Sequence, residues 1–356
     1  MLIVNPEAHY LDSTAVNPYK FIEKIGRTCY KSTDLITEGS AEKFVGNLCK
    51  SKHYAMLEHY WVHLKCAYTS FALENGFFNI SIQDHSYGGS LDILRYMQFT
   101  CGIDYTYISA PLRAFIELNS KIGEYIPIVV KVIMNALSST FPGVIPKGKY
   151  SDVVLSELRK VEVFCNQDNF IRDISTQLKG VKIEHVNREL MKHRTHTVLF
   201  ICDRGVSHEF VRHRPCSFAQ ESTRYCNYSK DKFGNQITVI EPFFFNRFPD
   251  TAKNVLYDDS AYSDWLMACE YAEKMYFKLL DKGATPQEAR SVLPNSLKTE
   301  LVITANEIEW EHIIDLRYRG TTGSPHPQIK EVMEMIFPTL VSKSNGRLLK
   351  AGESNE

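Results

Sequence analysis

Residues 197–225 read TVLFICDRGVSHEFVRHRPCSFAQESTRY. The opening Thr197–Cys202 is apolar and β-prone, the pattern of a buried strand. Soon after it stand three cations or near-cations in a row, Arg212, His213 and Arg214. A run of small residues follows, and then Gln220, Glu221, Ser222, Thr223 and Arg224. Arginine presents a planar, permanently charged fork of donors that suits phosphate and carbonyl-rich rings. Ser222 and Thr223 add neutral donors, and Gln220 and Glu221 add acceptors. Taken alone, an Arg-His-Arg triplet is as readily a solvated basic loop. Its place just beyond a buried strand, with small polar residues closely spaced behind it, favours backbone wrapped around an anionic, polar heterocycle such as a nucleotide.

Composition sets the frame. The 356 residues suffice for one large domain or two ordinary ones, and 44% hydrophobic with 12% aromatic content supports a sizeable core. A net charge of −1 gives no global pull toward nucleic acid or membrane, so an anion site must be local. Nine cysteines without CxxC spacing fit reduced thiols better than a disulfide framework. The start, MLIVNPEAHYLD, lacks a basic region and a long apolar run, so no secretory signal and a cytoplasmic location are expected. No apolar run approaches the length of a transmembrane helix.

Along the chain, Pro18–Ile25 reads as a short amphipathic helix ending near Gly26, and Ser40 as the cap of a second helix carrying Phe44, Val45 and Leu48. Tyr60–Cys66 has strand character. His53, Glu58 and His59 cluster just before it, but four residues separate His53 from Glu58, which matches neither zinc-helix spacing. No metal is expected. Ser109–Ile116 reads as a helix start with Pro111 near its first turn. Ile126, Val129, Val130, Ile133 and Leu137 recur at helical steps. Lys182–His196 reads as a polar surface return. A short strand is expected over Ile237–Ile240 and a long amphipathic helix over Ala261–Lys282, stopped by Gly283. Thr285-Pro-Gln-Glu288 is a capping box with proline at the first helical position. As a helix, Thr304–Arg317 lines up Asn306, Trp310, Ile313 and Arg317 on one side.

Arg212-His213-Arg214, then seven residues, then Ser222 resembles the hallmark of the flavin-dependent thymidylate synthases, and Asp203–Lys230 as a whole resembles one subgroup of that family. Arg27–Ser32 (RTCYKS) is similar to the family's early R-x-C-Y-x-S, and His53–His59 to its H-x-[ST]-x-x-E-H, with Ala55 in place of Ser or Thr. Glu288–Pro294 (EARSVLP) resembles the segment whose arginine contacts the nucleotide, which selects Arg290. Asn306–Arg317 resembles N-x-R-x-x-x-[NH]-F-x-x-L-R, with Ile308 in place of Arg. Pro325–Lys330 resembles the closing A-H-P-E-I-R, with Pro325, Gln328 and Lys330 as departures. Gln220 stands where many relatives carry Glu, and Glu209 where many carry Gln.

The resemblance implies an α+β fold, a mixed, mostly antiparallel sheet flanked by helices. The core would comprise residues 1–66 and 197–342, interrupted by a mainly helical insertion subdomain over 67–196 and followed by a flexible tail, 343–356. It further implies methylation of dUMP at C5 to dTMP, with methylenetetrahydrofolate as carbon donor, FAD as hydride carrier and NADPH as reductant, in a homotetramer with shared active sites. Arg317 would be catalytic, stabilising charge on the uracil ring. His53, Ala55, Arg212, His213, Arg214, Gln220, Asn306, Ile308 and His312 fall at flavin positions. Glu209, Arg212, Gln220, Glu221, Ser222, Thr223, Arg224, Arg290 and Arg317 fall at nucleotide positions. Unrelated thymidylate synthases use a cysteine nucleophile; this family does not, so Cys216 is read as packing. Competing readings are a relative that binds flavin and nucleotide without turnover, a nucleotide- or RNA-binding protein, and a metal-dependent hydrolase built on His53, His59 and His213.

Overall fold

A computed structural model describes residues 1–14, 16–67, 96–101, 105–121, 128–145, 161–247 and 261–353. Its first half runs β1 (Leu2–Val4), β2 (Glu7–Leu11), α1 (Pro18–Tyr30), α2 (Ser40–Lys50), β3 (Trp61–Ala67), β4 (Gln98–Cys101), β5 (Tyr105–Pro111), α3 (Leu112–Lys121) and α4 (Ile128–Thr140). Then come β6 (Val161–Phe164), α5 (Gln167–Gln177), α6 (Ile183–His193), β7 (Thr195–Asp203), α7 (Arg204–Phe210), β8 (Ser217–Gln220) and β9 (Thr238–Ile240). The chain closes with α8 (Ala261–Asp281), α9 (Pro286–Ala289), β10 (Lys298–Asn306), α10 (Glu307–Ile314) and α11 (Pro327–Lys343).

The expected buried strand is β7, and it lies inside an antiparallel sheet of order β2–β7–β10–β8. β7 and β10 pair over their whole length, from Lys298 opposite Asp203 to Asn306 opposite Thr195. Alternation along these strands divides the core. Val198, Phe200, Leu301 and Ile303 pack with Trp310, Ile313 and α11 on one face, while Val302 and Ala219 join α1, α2 and a second sheet on the other. That second sheet is antiparallel, in the order β4–β5–β3–β6, and β1 pairs parallel with β9. The fold is α+β. The nine cysteines are free thiols, and among the described residues no helix is long and apolar enough to cross a membrane.

Several local expectations are corrected. Helix α1 does not stop at Gly26 but runs to Tyr30, closed by Lys31 in the left-handed conformation. Gly26 permits a close helix crossing instead, since a Cβ there would sit 2.6 Å from the Phe44 ring. Ser109–Pro111 is the end of β5, paired with β3, so helix α3 begins only at Leu112. Lys182–His196 is no surface return: α6 buries Val186, Leu190, Met191 and His193 and leads straight into β7. Thr304–Asn306 belong to β10, and the helical part starts at Glu307. The tail is tied down as far as Glu353. Leu348 is buried, Arg347 pairs with Glu307, and Arg319 pairs with Glu353.

Residues 67–196 hold, in their described part, α3 to α6 and β4 to β6. Ile133 and Leu137 are fully buried on α4, whereas Ile126 lies outside the described residues. The three strands extend the sheet begun by β3, so the junction at residue 67 falls at the end of a strand that shares hydrogen bonds with the block that follows.

Candidate active site

The strand-to-cation segment is shaped by short-range devices. Asp203 caps α7, accepting from the Val206 N–H at 2.7 Å, and Phe210 at the helix end stacks on Phe200 of β7 with ring centres 4.6 Å apart. The His213 N–H then donates to the Phe210 carbonyl at 3.0 Å, which tightens the turn. His213 is thereby buried, and Arg212 and Arg214 on either side are exposed. Beyond the turn, β8 pairs with β10, and the Glu221 N–H donates to the Glu300 carbonyl at 2.8 Å.

Two clusters result. The first gathers at the start of β8. Arg317 stands in a wide π-type turn, Asp315–Arg319, that follows α10. Its Nε donates to His213 Nε2 at 3.1 Å, its Nη1 to Glu209 Oε2 at 2.6 Å, and its Nη2 to the Glu209 carbonyl at 3.2 Å. Burial, reinforced by the Arg317 charge, pushes the His213 pKa down to about 4, so the ring is neutral at pH 7. Since Nε2 accepts from a guanidinium, the ring proton sits on Nδ1. His312, exposed, meets the His213 ring edge-on at 5.5 Å. Beside this group opens a cavity of about 750 Å³ whose lining includes His213, Arg214, Cys216 and Asn306. Asn306 also caps α10, accepting from the Glu309 N–H at 3.0 Å. The Cys216 thiol is pushed far up by burial, against a nucleophilic role.

The second cluster lies past the other end of β8. Glu221 is buried, with Lys298 at 3.2 Å and Lys31 at 3.8 Å, and both lysines also pair with Glu300. Arg290 donates to Thr223 Oγ1 at 3.3 Å, and Arg224 donates to Gln287 at 3.0 Å. The Ser222 N–H is held by the Cys29 carbonyl at 3.1 Å. His53 is exposed and belongs to this side, with Nδ1 3.4 Å from the Tyr30 hydroxyl, while the Tyr30 ring meets Tyr225.

Of the residues singled out from sequence, Glu209, His213, Arg214, Asn306, His312 and Arg317 come together at the first cluster. Glu221, Ser222, Thr223, Arg224, Arg290 and His53 come together at the second. Arg212 is exposed between its neighbours and joins neither through a bond described above. Three residues have structural employment. The Gln220 amide donates to Ser207 at 2.8 Å and Thr299 at 3.3 Å, while Ala55 and Ile308 pack on the two cores. Sequence reasoning missed Lys31, Lys298 and Glu300. A signal existed, because Lys298 and Glu300 are two apart and share a strand face. Among the described residues no three His, Cys, Asp or Glu side chains gather as a metal site.

The model of the thymidylate synthase complementing protein family matches residues 161–343. The chain belongs to that family. The match includes every first-cluster residue, and also β6, α5 and α6, which lie inside the block 67–196. Flavin-dependent thymidylate synthase from Pyrococcus abyssi is 30% identical over 146 residues, 41% of this chain and 54% of that protein. The protein of the same description from Sulfolobus acidocaldarius is 33% identical over 146 residues, 41% and 50% of the two chains. This chain thus spans about half the length of the curated relatives it matches. A solved structure, the UMP/dUMP methylase PolB from Streptomyces cacaoi bound with 5-Br dUMP, aligns at 19% identity with a TM-score of 0.36, covering 61% of this chain and 89% of that one.

Proposed function

We propose that the protein converts dUMP to dTMP by reductive methylation at C5, with methylenetetrahydrofolate as carbon donor, FAD as hydride carrier and NADPH as reductant, acting in the cytoplasm. One observation carries the reading. Arg317 lies 104 residues from His213 in sequence, yet its guanidinium is locked onto Glu209 and onto His213, which itself lines a ligand-sized cavity.

The donor set fits a flavin: cationic Arg212 and Arg214 suit a diphosphate, and neutral His213 and Asn306 suit a polar ring edge. When bound, FAD would supply the hydride chemistry, and the protein's own work is positioning and electrostatics. Glu209 and His213 fix the Arg317 fork, so that its charge faces the uracil oxygen where negative charge develops, without a covalent bond to the enzyme. Holding His213 neutral keeps a second positive charge away from Arg317. Arg224, Arg290, Ser222 and Thr223 hold the nucleotide phosphate and sugar.

The two clusters lie about 14 Å apart along β8, four residues at roughly 3.4 Å each. That spacing is long for one subunit to wrap both clusters around one uracil nucleotide. A homotetramer with active sites shared between subunits is the assembly we include in the proposal, because it can bring one subunit's Arg317 to another's phosphate-holding cluster. The test is the visible spectrum of the purified protein, followed by anaerobic addition of dUMP, NADPH and methylenetetrahydrofolate with assay for dTMP. A flavin spectrum and dTMP are expected. Flavin without dTMP identifies a binder without turnover, and a protein that cannot be loaded with FAD overturns the reading.

A further inference from the structure

The cavity beside His213 has two walls of different origin. One is the segment His213–Phe218 with Asn306, all inside the family match. The facing wall lies outside residues 161–343: Glu58, from the family-like segment His53–His59, and Trp61 at the entry to β3, Gln98 on β4, and Arg113 and Glu117 on α3. The sheet that joins β4 and β5 to β3 is what sets these residues side by side.

Their chemistry is specific. Arg113 donates through Nη1 to Glu58 and through Nε to Glu117 Oε1 at 2.5 Å. One guanidinium thus faces two carboxylates, which leaves a formal charge of −1 on the wall. The three side chains are 22–37% exposed, open enough to meet a ligand. Trp61 adds an independent sign of a missing partner. The residue is only 9% exposed and lines the cavity, yet among the described residues its buried indole N–H meets no acceptor. The Gln98 amide can both donate and accept.

A net negative wall disfavours phosphate and carboxylate groups, and three charged side chains disfavour an apolar guest. What the wall lacks is a ligand with several adjacent N–H donors and at least one acceptor. Among the reactants of the proposed reaction, the uracil ring carries one ring N–H and the oxidised flavin ring likewise one, while the further N–H groups of a reduced flavin are set apart by its carbonyls. The reduced pterin head of a folate carries an amino group next to ring N–H groups, with a carbonyl alongside. We propose that Glu58, Glu117 and Trp61, organised by Arg113, form the subsite for the reduced pterin ring of the carbon donor, so that residues outside the family match supply the folate wall. The carboxylates accept from the N–H edge, and the indole donates to the ring carbonyl. The cavity volume, about 750 Å³, lies in the upper part of the range of about 300–1,000 Å³ for small-ligand sites, so the pterin need not exclude a second ring system. The inference rests on the proposed function for its choice of ligand.

The test uses the full chain with flavin loaded. Glu117→Gln keeps the shape of the side chain and removes its charge. It should weaken tetrahydrofolate binding, read by titration calorimetry, and raise KM for methylenetetrahydrofolate, each by about 10-fold, the effect of losing one charge-assisted hydrogen bond. Flavin content and the rate of flavin reduction by NADPH in the presence of dUMP should stay at wild-type values. Trp61→Phe, which keeps an aromatic ring and removes the N–H, should weaken tetrahydrofolate binding several-fold and serves if Glu117→Gln fails to fold. Unchanged tetrahydrofolate affinity in both variants, or flavin loss in step with folate loss, overturns the subsite. The titration also separates the two readings. A wild-type protein that makes no dTMP but binds tetrahydrofolate, with loss in the variants, keeps the subsite and sinks the turnover; one that makes dTMP with equal folate affinity in all three proteins does the reverse.

Discussion

Replacing Arg347 by Met should cost the protein about 3–5 kcal/mol of stability. Glu307, the first residue of α10, has no exposed surface. Its carboxylate accepts from Arg347 Nε at 2.7 Å and Nη2 at 2.8 Å, and it meets His196 Nε2 at 3.0 Å. Arg347 is itself only 7% exposed on its side chain, so water replaces little of what the substitution removes. The His196 pKa is pushed down, burial being the main cause, and a neutral imidazole left as sole partner does not balance a buried carboxylate. Breaking one side of a buried ion pair typically costs about 3–5 kcal/mol, a large share of the 5–15 kcal/mol that holds a folded domain together. Glu307→Gln alone should cost a similar amount by stranding the guanidinium. The double variant, in which no charge is left unpaired, should recover most of the loss, giving a coupling energy well above the few tenths expected of independent sites. Urea denaturation of the four proteins at pH 7 measures this directly. A single substitution at Arg347 within about 1 kcal/mol of wild type, or a double variant that costs the sum of the two singles, would refute the claim that the tail pins α10, the helix that Asn306 caps and that leads to Arg317.

Three further outcomes are expected. Arg317→Lys keeps the charge and loses the fork held by Glu209 and His213; kcat should fall about 100-fold with FAD still bound, and unchanged kcat would remove Arg317 from the chemistry. Cys216→Ala should leave turnover within about 3-fold, because burial keeps the thiol protonated; a dead variant would make it a participant. Burial lowers the pKa of His59 and His63 to about 3 and of His213 to about 4, below the unfolded value near 6.5. Between those limits the unfolded chain binds protons that the folded one refuses, so stability should fall as pH drops from about 6.5 toward 4, by up to about 1.4 kcal/mol per pH unit for each such histidine. His63→Gln should show a visibly shallower loss between pH 6 and 5, and an identical slope would count against a buried neutral His63.

How much of this could be read in advance depended on whether a residue's meaning was local. Thr197–Cys202 and Ala261–Asp281 carry their periodicity in their own side chains, and both formed as read. Gly26 has no local meaning. It looks like a helix stop, but what matters is the ring of Phe44 arriving from another helix. Pro111 likewise looks like a helix start, yet Leu112 opens the helix and Pro111 ends a strand paired with Trp61. Arg347 reads as a loose terminal charge until Glu307, forty positions back, is placed beside it.

The same logic explains why the site did not assemble as one. From Arg212 to Arg224 the chemistry-bearing residues are so close in sequence that a single pocket seems natural. Their middle, however, is Ser217–Gln220, an extended strand locked to β10, and extended backbone carries its ends apart at roughly 3.4 Å per residue. Closeness in sequence therefore becomes separation in space, and Arg317 with His213 stands at one end while Glu221, Thr223 and Arg290 stand at the other. A motif compact in sequence is thus laid out along a strand, with its two groups of chemistry-bearing residues at opposite ends. The strand inside the motif is what supports the proposal of sites shared between subunits, and an inactive monomeric variant that regains activity on reassembly is its expected signature.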